Sequence, residues 1–454
     1  MIMDFLIKKA KYIHFIGIGG ISMSGLATLT LKKKIKVSGS DVKDSDVLHK
    51  LKNLGATIFI GHKASNISYQ DLVVFTGAIK KDNAEMVEAK KLGIPCIERS
   101  EYLGYLSSKF QVAIAVAGTH GKTTTTAMLS KCFLDAKLSP EIHLGGYVDF
   151  LKGSVKSGKN IFITEACEYR ESFLKLKRNY AVILNMEADH LDYYKTFKSM
   201  QSSFVKFANR SNTLITSCEI ANKYKFKCSR VLTISLNDST ATYCAKNLIL
   251  SKNGGYSFEV YKNGIFFYNF TLKILGKFNV YNALSVIAIC DEFNINKVNI
   301  YQSLLTFKGV KRRLEYIGEL NNLKVIHDYA HHPTEIENVL NGFRDVFSGE
   351  LIVVFQPHTY SRTKDLLNEF VKVLSSNIID KLILVPTYPA REKKEDGVSA
   401  SELAQVLKKK RQHIYYMSLK KAKKFLCDYS NASNIAVLVL GAGDIETFAR
   451  DLIK

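Results

Sequence analysis

The chain has 454 residues, 46% hydrophobic and 23% charged, which fits a folded protein of two or three domains and excludes a disordered one. No stretch approaches the length of a bilayer span, the start lacks the apolar core of a signal peptide, and the eight scattered cysteines form no Cys-x-x-Cys pair. A reduced, cytoplasmic protein without membrane insertion or a zinc site is therefore expected. The net charge of +22 would suit nucleic acid, but the lysines run through the whole chain and tryptophan is absent, so the excess reads as compositional drift and no nucleic-acid partner is expected.

Residues 12–16 form a short apolar run typical of a buried parallel strand, followed by a turn with Gly17, Gly19 and Gly20 and a helical stretch over 23–31. A second strand over 35–37 ends at Ser38-Gly39-Ser40-Asp41, and residues 72–75 read as a further strand. This alternation predicts a doubly wound sheet. Gly17-Ile18-Gly19-Gly20 is a weak dinucleotide signal, because Ser22 stands where the third glycine of G-x-G-x-x-G belongs. Asp41 stands where an acidic residue binds a ribose hydroxyl.

A second block opens with a strand over 112–117 and the loop Gly118-Thr119-His120-Gly121-Lys122-Thr123-Thr124. Glycines let such a loop turn its amides toward phosphate oxygens, and the following helix adds a favourable dipole. Lys122 can neutralise β- and γ-phosphates, and the Thr123 hydroxyl can ligate magnesium. The loop is a short form, since Val116 occupies the first glycine position of the general pattern. Strands are expected over 160–164 and 180–184, a β-rich insertion near 213–275, and a helix over 281–290. Glu165 and His190 follow strands at the carboxyl edge of this sheet, where a carboxylate and an imidazole suit magnesium. Glu168 and Asp189 are weaker candidates for orienting the ligands.

The third block starts near residue 314, with strands over 324–328, 351–355, 381–385 and 435–440. Between blocks, Lys311-Arg312-Arg313 is either solvated linker charge or an oxyanion site. Tyr329, His331, His332, His358 and Arg362 follow strands at one sheet edge, and Arg362 can hold a carboxylate. Zinc on the three histidines ranks low, for want of acid or cysteine at ligand spacing.

Taken in order, these motifs resemble the Mur ligase family along nearly the whole chain. They run from His14–Gly20 through the phosphate loop, Glu165-Ala166-Cys167-Glu168-Tyr169-Arg170, Asn185-Met186-Glu187-Ala188-Asp189-His190 and Asp328-Tyr329-Ala330-His331-His332-Pro333 to Gln356-Pro357-His358-Thr359-Tyr360-Ser361-Arg362 and Gly441-Ala442-Gly443-Asp444. The resemblance implies an α/β protein of three domains. These are a Rossmann-like UDP-substrate domain (1–108), a P-loop ATP-binding domain with a parallel sheet (109–313), and a C-terminal Rossmann-like domain contacting amino acid and ATP (314–454). It implies a monomer or homodimer that uses ATP and magnesium to join L-alanine to UDP-N-acetylmuramate through an acyl phosphate. Gly17, Gly19, Gly20, Ser40 and Asp41 would hold the UDP substrate. Gly118, Thr119, His120, Gly121, Lys122, Thr123, Thr124, Asn279, Asn282 and Arg312 would hold ATP. Thr123, Glu165 and His190 would hold the metal, and Tyr329, His332, His358 and Arg362 the amino acid. Lys122, Glu165, His190, His332 and Arg362 would carry the chemistry. Gly276-Lys277-Phe278-Asn279 departs from the family's Gly-Arg-His-Asn, so the histidine's role is unfilled. Alternatives are a ligase that attaches a ready-made tripeptide to the same sugar, and a non-catalytic basic nucleotide-binding protein. Lys122→Ala is expected to abolish turnover with little effect on folding.

Overall fold

The computed structural model describes residues 2–252, 254–320, 322–390, 392–429 and 434–454. The chain forms two compact units. The first comprises Met1–Glu187, Lys198–Cys244 and Leu284–Ser303; the second comprises Ala188–Phe197, Ala245–Ala283 and Leu304–Lys454.

The first unit opens with β1 (Tyr12–Ile16), β2 (Lys36–Asp41), β3 (Thr57–Ile60), β4 (Leu72–Phe75) and β5 (Cys96–Glu98), an all-parallel sheet in the order β3-β2-β1-β4-β5. Ile13, Phe15 and Ile16 are fully buried, as expected of a parallel strand covered on both faces. The strand order reverses between β1 and β4, so the glycine turn after β1 lies at a topological switch point. The expected strand over 35–37 extends to Asp41, because Ser38, Gly39 and Ser40 stay in register with His14, Phe15 and Ile16. The helix expected over 23–31 runs Ile21–Lys32.

The same unit carries β6 (Val112–Ala117), β7 (Glu141–Val148), β8 (Gly153–Lys156), β9 (Ile161–Glu165), β10 (Tyr180–Ile183), β11 (Thr213–Ser217), β12 (Arg230–Ser235) and the start of β13 (Tyr243–Leu250). Their order is β13-β12-β11-β10-β6-β9-β7-β8, parallel except where β8 folds back on β7. The expected β-rich insertion is thus half continuation: β11 and β12 extend the parallel sheet through a crossover helix, Cys218–Lys223. β14 (Tyr256–Lys262) and β15 (Ile265–Leu272), in the second unit, form an antiparallel hairpin. The helix expected over 281–290 spans Phe278–Glu292.

In the second unit, β16 (Glu315–Leu320), β17 (Leu323–Asp328), β18 (Glu350–Phe355), β19 (Lys381–Leu384), β20 (Ile414–Tyr416) and β21 (Ile435–Leu440) are ordered β16-β17-β21-β18-β19-β20, with only β16 antiparallel. Two apolar layers, one around Phe343 and Phe370 and one around Phe448 and Leu426, bury its two faces.

A buried carboxylate organises the first sheet. Glu85 is fully buried and accepts hydrogen bonds from Ser40 Oγ (2.6 Å), Asn66 Nδ2 (2.6 Å) and His62 Nδ1 (3.0 Å). Burial alone would raise its pKa, but hydrogen bonds from His14, Ser40 and Asn66 outweigh burial and hold it below the usual glutamate value. Replacing Glu85 by alanine removes the acceptor shared by Ser40, Asn66 and His62. The expected cost is about 2–4 kcal/mol, read as a lower urea midpoint for the first unit.

Candidate active site

The phosphate loop follows a strand whose residues Ala113–Ala117 are fully buried. Gly118 (φ +143°) and Gly121 (φ +83°) adopt backbone angles that side chains disfavour, and the helix Lys122–Asp135 begins directly after Gly121. The loop is braced from the segment after β10. His120 N donates to Asn185 Oδ1 (2.8 Å), Asn185 Nδ2 returns a bond to His120 O (3.1 Å), and Glu187 N donates to Thr119 Oγ1 (2.9 Å). His120 Nε2 lies 3.1 Å from Glu187 Oε2, so this side chain also braces the loop. Thr124 sits buried in the first helical turn.

Lys122 Nζ donates to Gly118 O, to Thr119 O (3.0 Å) and to both oxygens of Glu168 (3.0 and 3.2 Å). Burial would lower its pKa, but Glu168 outweighs burial and raises it, keeping the ammonium charged. Thr123 Oγ1 donates to Glu165 Oε2 (2.9 Å), and Gly145 N donates to Glu165 Oε1. A Cβ on Gly145 would lie 2.9 Å from Glu165 Oε2, so a side chain there would displace the carboxylate. Strands β7 and β9 and the loop helix therefore converge on one carboxylate beside one hydroxyl.

At the end of β1, Gly17 N (2.8 Å) and Ile18 N (3.0 Å) donate to Ser40 O, and Gly19 N donates to Asp41 Oδ2 (2.8 Å). Gly17 takes φ +79°, and Gly20 caps the following helix. Ser40 was expected to face a ligand; instead its hydroxyl is fully buried against Glu85 and His62, and it shapes the loop through its carbonyl. Asp41 likewise uses both oxygens on backbone amides, Gly19 and Val42.

In the second unit, Arg362 Nε and Nη2 donate to Asp189 Oδ1 at 3.3 and 3.2 Å, and Nη1 donates to His358 Nδ1 at 3.2 Å. Burial would raise the Asp189 pKa, but the Arg362 guanidinium outweighs burial and holds it well below the carboxylate range. His190 takes a left-handed conformation (φ +55°), with Nε2 3.6 Å from Asp189 Oδ2. His332 caps the helix Pro333–Arg344 through Nδ1, which accepts from Thr334 N (3.3 Å). Its Nε2 lies 3.0 Å from Ala188 O, so both ring nitrogens are engaged. Tyr329 lies under the guanidinium of Arg312 (4.7 Å) and beside that of Arg313 (5.2 Å), while Arg312 Nε reaches Glu446 at 3.1 Å.

Asn279 and Asn282 interlock: Asn279 Nδ2 donates to Leu275 O (2.7 Å) and its Oδ1 accepts from Asn282 Nδ2 (3.0 Å). Here they act as a helix-start clasp. Phe278, in place of the family's histidine, lays its ring on Gly276 (φ +92°), where a Cβ would collide with it. A packing contact has replaced a polar group.

Arg99, His143 and Gly145 carry no signal in the sequence that marks them as site residues. Arg99 carries no motif, and His143 and Gly145 lie on a strand that was not anticipated. The fold places the Glu168 carboxylate, from the turn after β9, against Lys122.

A glycine loop between a buried parallel strand and a helix, with lysine and threonine at the helix start, defines a nucleoside-phosphate-binding α/β protein. Family models described as the Mur ligase family catalytic domain, the Mur ligase middle domain and the Mur ligase glutamate ligase domain match residues 12–111, 116–290 and 312–443. The chain belongs to the Mur ligase family. It is 44% identical to the UDP-N-acetylmuramate–L-alanine ligase of Clostridium tetani, over 98% of each chain. The ligase of the same name from Acetivibrio thermocellus is 40% identical over 98% of this chain and 97% of its own. The crystal structure of UDP-N-acetylmuramate–alanine ligase from Thermotoga maritima matches with TM-score 0.83 and 30% identity, covering 98% of both chains. A murein peptide ligase from Psychrobacter arcticus shares the fold with TM-score 0.73 and 24% identity, over 98% of both chains.

The Lys122–Glu168 pair revises one expectation. With Glu168 only 2% exposed, Lys122→Ala removes the cationic partner of a buried carboxylate and is expected to cost about 3–5 kcal/mol. Lys122→Ala combined with Glu168→Gln should recover most of this stability in urea melts. In the second unit, burial pushes His331 down to about 3 and His358 down to about 4, Arg362 contributing to both. Both rings stay neutral in the fold, while the unfolded chain takes up protons below about pH 6.5. Their contribution to stability is therefore complete above that pH and falls as pH drops toward 4. Burial pushes Asp328 up to about 6, so it acts with the opposite sign over the same window. Urea melts between pH 7 and 4.5 should show a slope that His331→Asn flattens and Asp328→Asn steepens.

Proposed function

We propose that the chain joins L-alanine to the carboxylate of UDP-N-acetylmuramate in an ATP-dependent, amide-forming reaction, the first amino-acid addition of peptidoglycan stem-peptide synthesis. The observation that carries this reading is likeness over essentially the whole chain to ligases of that name, up to TM-score 0.83, around a phosphate loop complete in lysine and threonine. The division into UDP-substrate (1–108), ATP (109–313) and amino-acid (314–454) domains belongs to the same proposal. So does a cytoplasmic location, where ATP and sugar nucleotides are made; no described helix is long and apolar enough to cross a membrane.

A carboxylate and an amine do not condense usefully in water, so the acid must first acquire a leaving group. A carboxylate oxygen of the sugar attacks the γ-phosphorus of ATP, the bond to the β–γ bridging oxygen breaks, and ADP leaves. Lys122 is already charged and held by loop carbonyls, so it meets the phosphates with little reorganisation. The amides of Gly121–Thr124, at the helix N-terminus, would meet the phosphate oxygens. Thr123 Oγ1 and Glu165 Oε2, 2.9 Å apart, form the hard-oxygen set that suits magnesium, and bound there the ion would spread charge on the transferred group. The amine of L-alanine attacks the acyl carbon, loses a proton, and the tetrahedral intermediate expels phosphate. Arg362 is the group for the alanine carboxylate, which would compete with Asp189 for the guanidinium fork.

Phosphate release from ATP is expected to require magnesium, UDP-N-acetylmuramate and L-alanine together, and to vanish in the Lys122→Ala, Glu168→Gln protein. Release with a tripeptide in place of alanine would move the protein to the recycling branch, and release with neither would refute the ligase reading.

A further inference from the structure

One departure from the dinucleotide pattern remains unused by the mechanism above. Ser22 stands where a third glycine would let helix and strand pack closely. Its hydroxyl accepts a hydrogen bond from Arg99 Nη1 (3.1 Å) and lies 3.1 Å from His143 Nε2. Arg99 opens the helix Arg99–Ser108 after β5, and His143 sits on β7, so Ser22 joins the first sheet to the second within the first unit.

These three residues line a cavity of about 200 Å³ whose far wall includes Glu165 and Cys167. Arg99 is the one lysine or arginine in that wall, and Glu165 the one carboxylate. Among the described residues Arg99 forms no ion pair, and its sole hydrogen bond is to Ser22. A half-buried guanidinium without a carboxylate partner is costly unless a ligand supplies the anion. Burial and the charge of Arg99 push His143 down to about 4, so it is neutral. Glu165 is engaged by Thr123 and Gly145. Leu103, Phe173 and Leu176 close the cavity with apolar surface, which strengthens any ion pair formed there. Because Glu165 touches Thr123 of the phosphate loop, this cavity lies next to the place where a phosphoryl group would be transferred.

We infer that Arg99 binds the carboxylate of the acid substrate, held in position by Ser22, and so presents the attacking oxygen to the phosphate loop. This rests on the ligase reading above and names the group that distinguishes an acid-bearing nucleotide sugar from one without the acid. Ser22 acts through Arg99 as a positioning residue.

The test compares binding of UDP-N-acetylmuramate, UDP-N-acetylglucosamine and UDP to the full chain by calorimetry, alongside steady-state turnover. The intact protein should prefer the acid-bearing sugar. Arg99→Met should lose that preference and roughly 10- to 100-fold in kcat/KM for the acid substrate, with binding of UDP and the KM for ATP unchanged. Arg99→Lys should restore part of the loss, and Ser22→Gly should produce a smaller one. An acid preference that survives Arg99→Met overturns the inference. So does an equal loss of UDP binding, which would assign the arginine to the diphosphate or to the fold. Absence of turnover in the intact protein with UDP-N-acetylmuramate and L-alanine would instead refute the ligase reading, and is read from a different sample.

Discussion

The contact between Glu165 and Thr123 sets the terms for the rest of the first unit. A carboxylate at the end of a buried parallel strand accepts from the hydroxyl that opens the loop helix and from the amide of Gly145 on the neighbouring strand. Three elements must therefore arrive together: β9 to carry the acid, β7 to approach without a side chain, and the helix Lys122–Asp135 to present the hydroxyl. The oxygen pair is then set by packed secondary structure rather than by a mobile loop, which is what phosphoryl transfer requires of the groups around it.

Charge in both units is stored in pairs that substrates can enter. Lys122 rests on Glu168 and on loop carbonyls, and Arg362 rests on Asp189 and His358. Each pairing compensates a poorly solvated cation before any ligand arrives. The same low dielectric that makes an unpaired charge expensive makes each cation a strong receptor for phosphate or carboxylate. Arg99 is the exception, a guanidinium with a hydroxyl for a partner and a cavity in front of it.

Several residues expected to touch ligands hold the scaffold instead. Ser40 gives its hydroxyl to Glu85, the two nitrogens of His332 go to a helix cap and to the Ala188 carbonyl, and Asn279 clasps Asn282. All are buried polar groups, and such groups must find partners within the fold. Phe278 illustrates the converse: where this chain lacks a polar group, the ring covers Gly276 by packing.

The sequence by itself determined the elements whose signals are local. An apolar strand before a glycine loop and a helix after it follow from hydrophobic periodicity and from the backbone freedom of glycine, so residues 112–124 were legible as strand, loop and helix start. The ordered motifs were enough to place the chain in its family. The tertiary structure decided everything that depends on residues distant in the chain. It carried β2 on to Asp41 because a neighbouring strand holds its register, turned half of an expected insertion into parallel sheet, and brought Glu168 to Lys122 and Arg99 to Ser22. Such pairings leave no periodic trace, because a single carboxylate or guanidinium looks the same in sequence whether it faces water or a buried partner. Its environment is set by which strands lie side by side, and that is a property of the assembled sheet.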